Sequence, residues 1–135
     1  MLTGKIILVV EDDPLISQVY VHRLASAKAT VLTAFDGADG LEKLKQNKVD
    51  LVILDLMMPH MDGKEMLERM RKEPATATTP VMVLTNFQAR KPEEIEELRK
   101  LGIVEYLVKS NIFLEEILEK IEHHLGTLDA KKAAS

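Results

Sequence analysis

The stretch LVILDLMMPHMDG, residues 51–63, decides the fold of this chain. Its first four residues are apolar and lead directly into Asp55, and the turn-forming residues Pro59 and Gly63 follow. A short apolar run that ends in turn residues is typical of a strand buried on both faces. Asp55 is therefore predicted to lie at the carboxyl end of that strand, where ligands bind in an open parallel sheet. Asp62 is placed to cap the helix that follows.

The composition is that of a single soluble domain. The chain has 135 residues, of which 46% are hydrophobic and 30% are charged, and its net charge is −4. This length fits one domain with its own core, and the acidic balance argues against a nucleic-acid-binding surface. The absence of cysteine excludes disulfides and thiolate chemistry. No signal peptide and no membrane-spanning apolar run are found, so we expect a cytoplasmic protein that is not attached to a membrane.

Strand and helix patterns alternate five times along the chain. The predicted strands are residues 6–10, 30–35, 50–55, 81–85 and 104–108. The predicted helices begin at Pro14 after an Asp13 cap, span 40–46 and 63–72, run from Pro92 to a turn closed by Gly102, and span 112–125. Such alternation is typical of a parallel α/β sheet with helices on both faces. Right-handed crossovers then bring the carboxyl ends of all strands to one edge.

Apolar residues at helical spacing predict which helix faces pack on the sheet. The expected inner stripes are Leu15, Val19, His22 or Arg23, and Leu24 in the first helix, Met66, Leu67 and Met70 in the third, and Leu114, Ile117, Leu118, Ile121 and Leu125 in the last. Gly126 is expected to end the last helix. Residues 1–126 are therefore predicted to form the domain, and residues 127–135 a polar C-terminal tail.

Polar side chains end four of the five predicted strands. Glu11 and Asp12 follow the first strand, Asp55 ends the third, Thr85 ends the fourth and Lys109 follows the fifth. Carboxylates gathered at one edge of a sheet raise one another's pKa, and a hard divalent cation removes the conflict. We expect Mg²⁺, because it prefers carboxylate oxygen and is often completed by a phosphate.

This set of residues suggests phosphoryl transfer. Asp55 is the candidate nucleophile and forms an acyl phosphate, while Mg²⁺ and Lys109 neutralise charge on the transferring oxygens. Thr85 is placed to donate a hydrogen bond to a phosphoryl oxygen. Because the sequence has no glycine-rich phosphate loop, the phosphoryl group is expected from a partner or a small donor, and not from bound ATP.

In order and spacing these residues resemble the CheY-like receiver domain of two-component response regulators. The matching pieces are IILVVEDDP at 6–14, DLMMPHMDG at 55–63, VLT at 83–85 and YLVK at 106–109, and the similarity covers about residues 5–125. The resemblance implies a flavodoxin-like, doubly wound fold with a five-stranded parallel sheet in the order 2-1-3-4-5. It also implies a signalling domain that is not an enzyme. Because the chain ends soon after the last predicted helix, we expect the domain to work alone.

The resemblance assigns roles around the phosphoacceptor. Asp55 accepts the phosphoryl group from a histidine kinase or a phosphotransfer protein. Asp12 binds Mg²⁺ directly together with Asp55, Glu11 acts mainly through a water, and the backbone carbonyl of Met57 is a further ligand. The resemblance thus implies a metal site made entirely of oxygen ligands.

The resemblance also implies a switch. Thr85 moves toward the phosphoryl group, and Tyr106 changes rotamer in response. The change alters the face made by the fourth helix, the fifth strand and the last helix, which is the family's usual partner surface. A downstream protein is expected to bind this face, and a homodimer formed through it is a further expectation.

Two positions depart from the family pattern. The family usually has proline after the lysine, where this chain has Ser110, and a small residue after the threonine, where it has Asn86. The cis bond expected after the lysine is easy for proline, but before Ser110 it costs about 3 kcal/mol. The rigidity of Lys109 and the coupling to Tyr106 are therefore open. The two departures support an alternative, a pseudo-receiver that binds partners without phosphorylation. A second alternative is a phosphatase or phosphotransferase that uses an aspartyl-phosphate intermediate. Such an enzyme normally needs a second acid at the position of Met57.

Overall fold

In the computed structural model, the protein consists of one five-stranded parallel sheet with helices on both faces. The structure describes residues 1–86 and 91–134, with side chains as far as residue 126. The strands are β1 (Ile6–Val10), β2 (Thr30–Ala34), β3 (Leu51–Leu54), β4 (Val81–Thr85) and β5 (Ile103–Val108). The helices are α1 (Pro14–Ser26), α2 (Gly37–Gln46), α3 (Gly63–Lys72), α4 (Pro92–Lys100) and α5 (Leu114–Ala134), and a short 3-10 turn covers Lys109–Asn111.

The strand order is β2-β1-β3-β4-β5, and all neighbouring strands are parallel. This confirms the predicted doubly wound α/β fold and its order. In the register of the sheet, Val10 lies beside both Ala34 and Leu54, and Thr85 lies beside Val108. The residues that follow these positions therefore emerge at one edge of the sheet.

Two apolar clusters cover the two faces of the sheet. On one face, Ile7 and Val9 pack with α1 and α5 through Leu24 and Ile121. On the other face, strand side chains pack with α2, α3 and α4, which contribute Leu44, Met66, Leu67, Met70 and Leu98. All four residues of β3 are buried, which explains why this strand has no polar alternation.

Side-chain caps fix where three of the helices begin. Asp13 accepts a hydrogen bond from the backbone N–H of Leu15 at 2.9 Å, and Asp62 accepts one from Glu65 at 2.9 Å. Both caps were predicted. Asp36 accepts from the N–H of Asp39 at 2.8 Å, so α2 begins at Gly37 and not at residue 40 as predicted.

The predicted stripe of α1 is correct at Leu24 and wrong at Leu15 and Val19. Leu15 is 75% exposed and Val19 is 51% exposed, whereas Ser17 and Leu24 are buried. Apolar residues occur on more than one side of this helix, so periodicity alone does not fix which side packs on the sheet. In α5, by contrast, the predicted residues Ile117, Leu118, Ile121 and Leu125 are buried, and Leu114 is half-buried.

The predicted end of α5 at Gly126 is also wrong, because the helix continues to Ala134. Gly126 has no left-handed φ and no atom within 4 Å of the position of an added Cβ. An isolated glycine is tolerated inside a helix at a cost of about 1 kcal/mol. The predicted polar tail is thus helical as far as Ala134, and Ser135 lies outside the described residues. No helix in the described part of the chain is long and apolar enough to span a bilayer.

Candidate functional site

The carboxyl edge of the sheet brings together the polar residues predicted from the sequence. Glu11 and Asp12 follow β1, Asp55 follows β3, Thr85 ends β4 and Lys109 follows β5. Carboxylate oxygens of Glu11, Asp12 and Asp55 all lie within 4.8 Å of one another. The strand register described above is the cause, because it aligns the ends of β1 and β3.

Both carboxylate oxygens of Asp55 are held by neighbours. Oδ1 accepts from the Thr85 hydroxyl at 2.7 Å and from the Met57 backbone N–H at 3.1 Å. Oδ2 accepts from the Lys109 ammonium at 2.9 Å. Asp55 is 6% exposed and Thr85 is fully buried, so these contacts are made largely out of water. The site therefore fixes one carboxylate between a hydroxyl and a cation.

Glu11 is the second buried carboxylate of the site, at 2% exposed. Its Oε2 accepts from the Asp13 backbone N–H at 3.2 Å, and its Oε1 accepts from Lys109. Burial raises the pKa of Glu11 to about 7, against the lowering effect of Lys109. Burial opposes the charged form of Lys109, but hydrogen bonds to Glu11 and Asp55 outweigh it and raise the lysine pKa. One ammonium thus serves two carboxylates.

The donor set fits a hard divalent cation. Three carboxylates converge, and Asp12 is exposed, so the cluster opens to solvent on one side. Mg²⁺ binds carboxylate oxygen and keeps several of its waters, which requires such an opening. The backbone N–H of Met57 donates to Asp55. That the backbone carbonyl of Met57 binds the metal stays a prediction.

The loop after β3 closes against the phosphoacceptor candidate. A Cβ on Gly63 would lie 2.3 Å from the backbone oxygen of Asp55 and 2.8 Å from the Cα of Leu56. The N–H of Gly63 donates to the carbonyl of Leu56 at 3.2 Å. Gly37 makes a similar close approach on the other side of the loop, where its N–H donates to the Met61 carbonyl at 3.1 Å. These two glycines let the loop fold tightly beside Asp55.

The predicted switch residue Tyr106 lies on β5 beside Val83. It is half-buried against the apolar cluster shared with α3 and α4, and burial raises the pKa of its hydroxyl. The hydrogen bonds to the Asp55 carboxylate described above come from Thr85, Met57 and Lys109. Its predicted change of rotamer stays a prediction.

The two residues that depart from the family pattern lie side by side next to the site. The bond between Lys109 and Ser110 is trans, as are all peptide bonds in the described residues. Asn86 is exposed, and together with Ser110 and Lys109 it lines an open depression of about 300 Å³.

The opposite wall of this depression was missed from the sequence. It is built by α1, from Ile16, Val19 and Tyr20. Burial raises the pKa of the Tyr20 hydroxyl, and the charges of Lys109 and Glu11 also act on it, which places Tyr20 close to the site. The sequence did contain a signal for this wall, because α1 has more apolar residues than one helix face can bury.

Comparison with known proteins agrees with this geometry. The model of the response regulator receiver domain family matches residues 7–122. The chain is 34% identical over 128 residues to hybrid signal transduction histidine kinase D of Dictyostelium discoideum. The aligned region covers 94% of this chain and 8% of that protein. The solved structure of chemotaxis protein CheY4 of Vibrio cholerae is 31% identical with a TM-score of 0.80, over 88% of this chain and 97% of that one.

A further solved structure, the N-terminal domain of a response regulator receiver protein from Methanoculleus marisnigri, is 40% identical with a TM-score of 0.73. It covers 90% of this chain and 96% of that one. The chain spans between 8% and 57% of the length of the first curated relatives that it matches. The family match includes all of the site residues and all of the strand residues except Ile6, and this chain therefore belongs to the receiver domains of two-component response regulators.

Proposed function

We propose that this chain is a phosphorylation-controlled signalling module in which Asp55 accepts a phosphoryl group. The observation that carries the proposal is the setting of Asp55. Its two oxygens are held by the Thr85 hydroxyl and the Lys109 ammonium, and the carboxylates of Glu11 and Asp12 lie beside it. The donor is a histidine kinase or a phosphotransfer protein, in keeping with the receiver family.

Mg²⁺ is the metal of the proposed site. Asp12 and Asp55 would hold the ion directly, Glu11 would act through a water, and the Met57 carbonyl would be a further ligand. When bound, it neutralises negative charge on the phosphoryl oxygens. The cluster of three carboxylates within 4.8 Å supports this assignment.

The chain's own residues then carry out the transfer. One Asp55 oxygen forms a bond to phosphorus while the bond from phosphorus to the donor nitrogen breaks, and the imidazole leaves with that electron pair. Lys109, which already contacts Asp55 Oδ2 at 2.9 Å, stays close enough to balance charge on the transferred group. The tight loop at Gly63 holds the Asp55 backbone during this step.

The signal passes from Asp55 through Thr85. Its hydroxyl gives up the 2.7 Å bond to Asp55 Oδ1 and donates to a phosphoryl oxygen instead. Tyr106 follows by changing rotamer, and the face made by α4, β5 and α5 changes with it. This is a population shift, so the phosphorylated site must favour the active state by a few kcal/mol. A downstream protein binds that face, and a homodimer through it is a second use of the same surface.

The alternatives are less well supported. A pseudo-receiver has no use for two acids, a hydroxyl and an ammonium gathered around Asp55. Here Thr85 and Lys109 contact Asp55, and the two acids have a carboxylate oxygen within 4.8 Å of it. A phosphatase normally uses a second acid where this chain has Met57. A cytoplasmic location is part of the proposal, in keeping with the receiver family.

Amide NMR with beryllofluoride, a mimic of the phosphoryl group, tests this function. With Mg²⁺ present we expect the signals of Thr85 and Tyr106 to shift in the native protein and to stay in place in Asp55→Asn. EDTA should reverse the shifts. A native protein that is folded but gives the same spectrum with and without the mimic and Mg²⁺ would be a pseudo-receiver.

A further inference from the structure

A groove with an apolar floor and a basic rim lies between the second halves of α2 and α3. Its volume is about 540 Å³. Leu41 and Leu44 form the floor, and Lys45, Arg69 and Lys72 form the rim. Leu44 is buried and Leu41 is half-buried, whereas the three basic residues are exposed. We call this surface the α2–α3 groove.

The charge of the groove is opposite to that of the whole chain. The net charge of the protein is −4, but the lining of the groove contains three cations and one acid, Glu73, and a second acid, Glu65, pairs with Arg69. Among the described residues, no carboxylate forms an ion pair with Lys45 or Lys72. Arg69 contacts Glu65 at 3.0 Å in an exposed pair of the kind that contributes little stability. Lys45 and Lys72 are thus the two rim cations without an ion-pair partner among the described residues.

A second cavity continues the groove around the edge of the domain. Its volume is about 250 Å³, and it shares Leu44, Ala75 and Thr76 with the α2–α3 groove. It adds Lys5, Lys48 and one acid, Asp50, and Lys48 is exposed and forms no ion pair with a described residue. The linings of the two adjoining cavities together contain five cations and two acids.

The groove is separate from the phosphorylation site. Arg69 and Lys72 lie at the carboxyl end of α3, while Gly63, which packs on Asp55, lies at its amino end. At 1.5 Å per residue these two ends are about 14 Å apart. The groove lies on α2 and α3, outside the proposed output face of α4, β5 and α5. It can be occupied without covering either surface.

We propose that the α2–α3 groove is a docking site for an acidic amphipathic segment of a partner protein. Apolar side chains of the segment fill the floor over Leu41 and Leu44, and its carboxylates meet Lys45, Arg69 and Lys72. The concave apolar floor favours a peptide over a membrane, since a flat basic surface suffices for lipid headgroups. The net charge of −4 and the lack of an aromatic residue in the lining argue against single-stranded nucleic acid.

Fluorescence anisotropy with a defined peptide tests the docking site. The probe is a labelled helical peptide with leucines four residues apart and glutamates on both flanks. It is titrated with the unmodified full chain, so the result does not depend on phosphorylation. The test variant is Lys45→Glu with Lys72→Glu. The matched control is Lys28→Glu with Lys100→Glu, which changes the net charge equally at exposed positions outside the groove.

We expect the test variant to bind the probe at least about tenfold more weakly than the native chain, and the control to bind within about twofold. A peptide with serines in place of the leucines should also bind at least about tenfold more weakly. Circular dichroism verifies that both variants are folded. Equal losses in test and control, equal binding of the serine peptide, or no binding by the native chain would each overturn the proposal. Binding to phosphatidylserine vesicles without binding to the peptide would make the groove a membrane surface instead.

Discussion

At the scale of single residues, Lys109 is the cation that balances the two buried carboxylates of the site. It contacts Asp55 and Glu11, which are 6% and 2% exposed. Removing one partner of a buried ionic cluster leaves uncompensated charge, which is more costly than the loss of an exposed pair. Glu11 relieves part of that cost by taking up a proton, so the cost depends on pH.

We predict that Lys109→Met lowers the free energy of unfolding by about 3 kcal/mol at pH 8 in EDTA, and by clearly less at pH 5. At the lower pH, Glu11 is protonated and no longer needs the ammonium. Urea unfolding at both pH values measures the difference. Lys64→Met is the control, because its pair with Glu97 is exposed and its loss should cost under about 1 kcal/mol. The same loss at both pH values would show that Lys109 does not serve Glu11.

The types of the site residues could be predicted from the sequence, but their contacts could not. The acids, Thr85 and Lys109 were found because parallel strands align their carboxyl ends. That Lys109 reaches both Glu11 and Asp55, and that the Met57 N–H reaches Asp55, depends on the path of the loops. No spacing along the chain encodes such a path.

At the scale of elements, the loop between β3 and α3 requires glycine at position 63. A Cβ there would lie 2.3 Å from the Asp55 carbonyl oxygen, and backbone cannot yield as a flexible side chain does. We predict that Gly63→Ala costs at least about 2 kcal/mol of stability and displaces Asp55. Gly126→Ala, in contrast, should add up to about 1 kcal/mol, because Gly126 lies inside α5 with free space around it.

Thermal or urea unfolding of the two glycine variants measures both effects. The pair also tests where α5 ends. If Gly126 ended the helix in a left-handed conformation, as the sequence suggested, alanine would destabilise the protein. A loss of stability in Gly126→Ala would therefore contradict the continuous helix.

Arg71 joins three elements through backbone carbonyls. Its guanidinium donates to Leu101 at 2.6 Å, to Thr79 at 2.8 Å and to Thr76 at 3.1 Å, and burial lowers its pKa. These bonds tie the end of α3 to the loop before β4 and to the turn before β5. From the sequence, Arg71 is indistinguishable from the solvated charges around it.

We predict that Arg71→Met costs about 2 kcal/mol, since several partly buried carbonyls lose a charged donor. Arg69→Met is the control, because it removes only the exposed pair with Glu65. It should change the free energy of unfolding by under about 1 kcal/mol. Urea unfolding of the two variants side by side provides the measurement. Equal effects would mean that the network around Arg71 contributes no more than a surface charge.

The elements themselves were largely predictable, and the misses have physical causes. The buried run of β3 and the caps Asp13 and Asp62 are local signals, so the strand and both helix starts were correct. The packed side of α1 and the end of α5 depend on what lies against the helix. Leu15 and Gly126 carry no local signal that separates an inner position from an outer one, or a helix end from a helix interior.

At the scale of the whole molecule, the site makes stability depend on pH. The pKa of Glu11 is about 7 in the folded protein, against an ordinary value of 4.5. Between these values the folded state keeps a proton that the unfolded state has released. The stabilisation is thus fully present below about pH 4.5 and is lost as the pH rises through about 7.

We predict that in EDTA the midpoint temperature of thermal unfolding decreases as the pH is raised from 5 to 8. In Glu11→Gln most of this decrease should be absent. Adding Mg²⁺ at pH 8 should raise the midpoint of the native protein, because the metal replaces the missing proton. Thermal unfolding across this pH range with both proteins checks the sign. A native profile with the same slope as that of Glu11→Gln would exclude Glu11 as the source.

The proposal that Asp55 is a phosphoacceptor is tested most directly by intact mass. The native chain and Asp55→Asn are incubated with acetyl phosphate and Mg²⁺, with EDTA and a phosphohistidine donor in parallel. We predict that only the native chain gains one phosphoryl group, and that EDTA prevents the gain. A folded native chain that gains nothing from either donor, or a gain that persists in Asp55→Asn, would contradict the proposal.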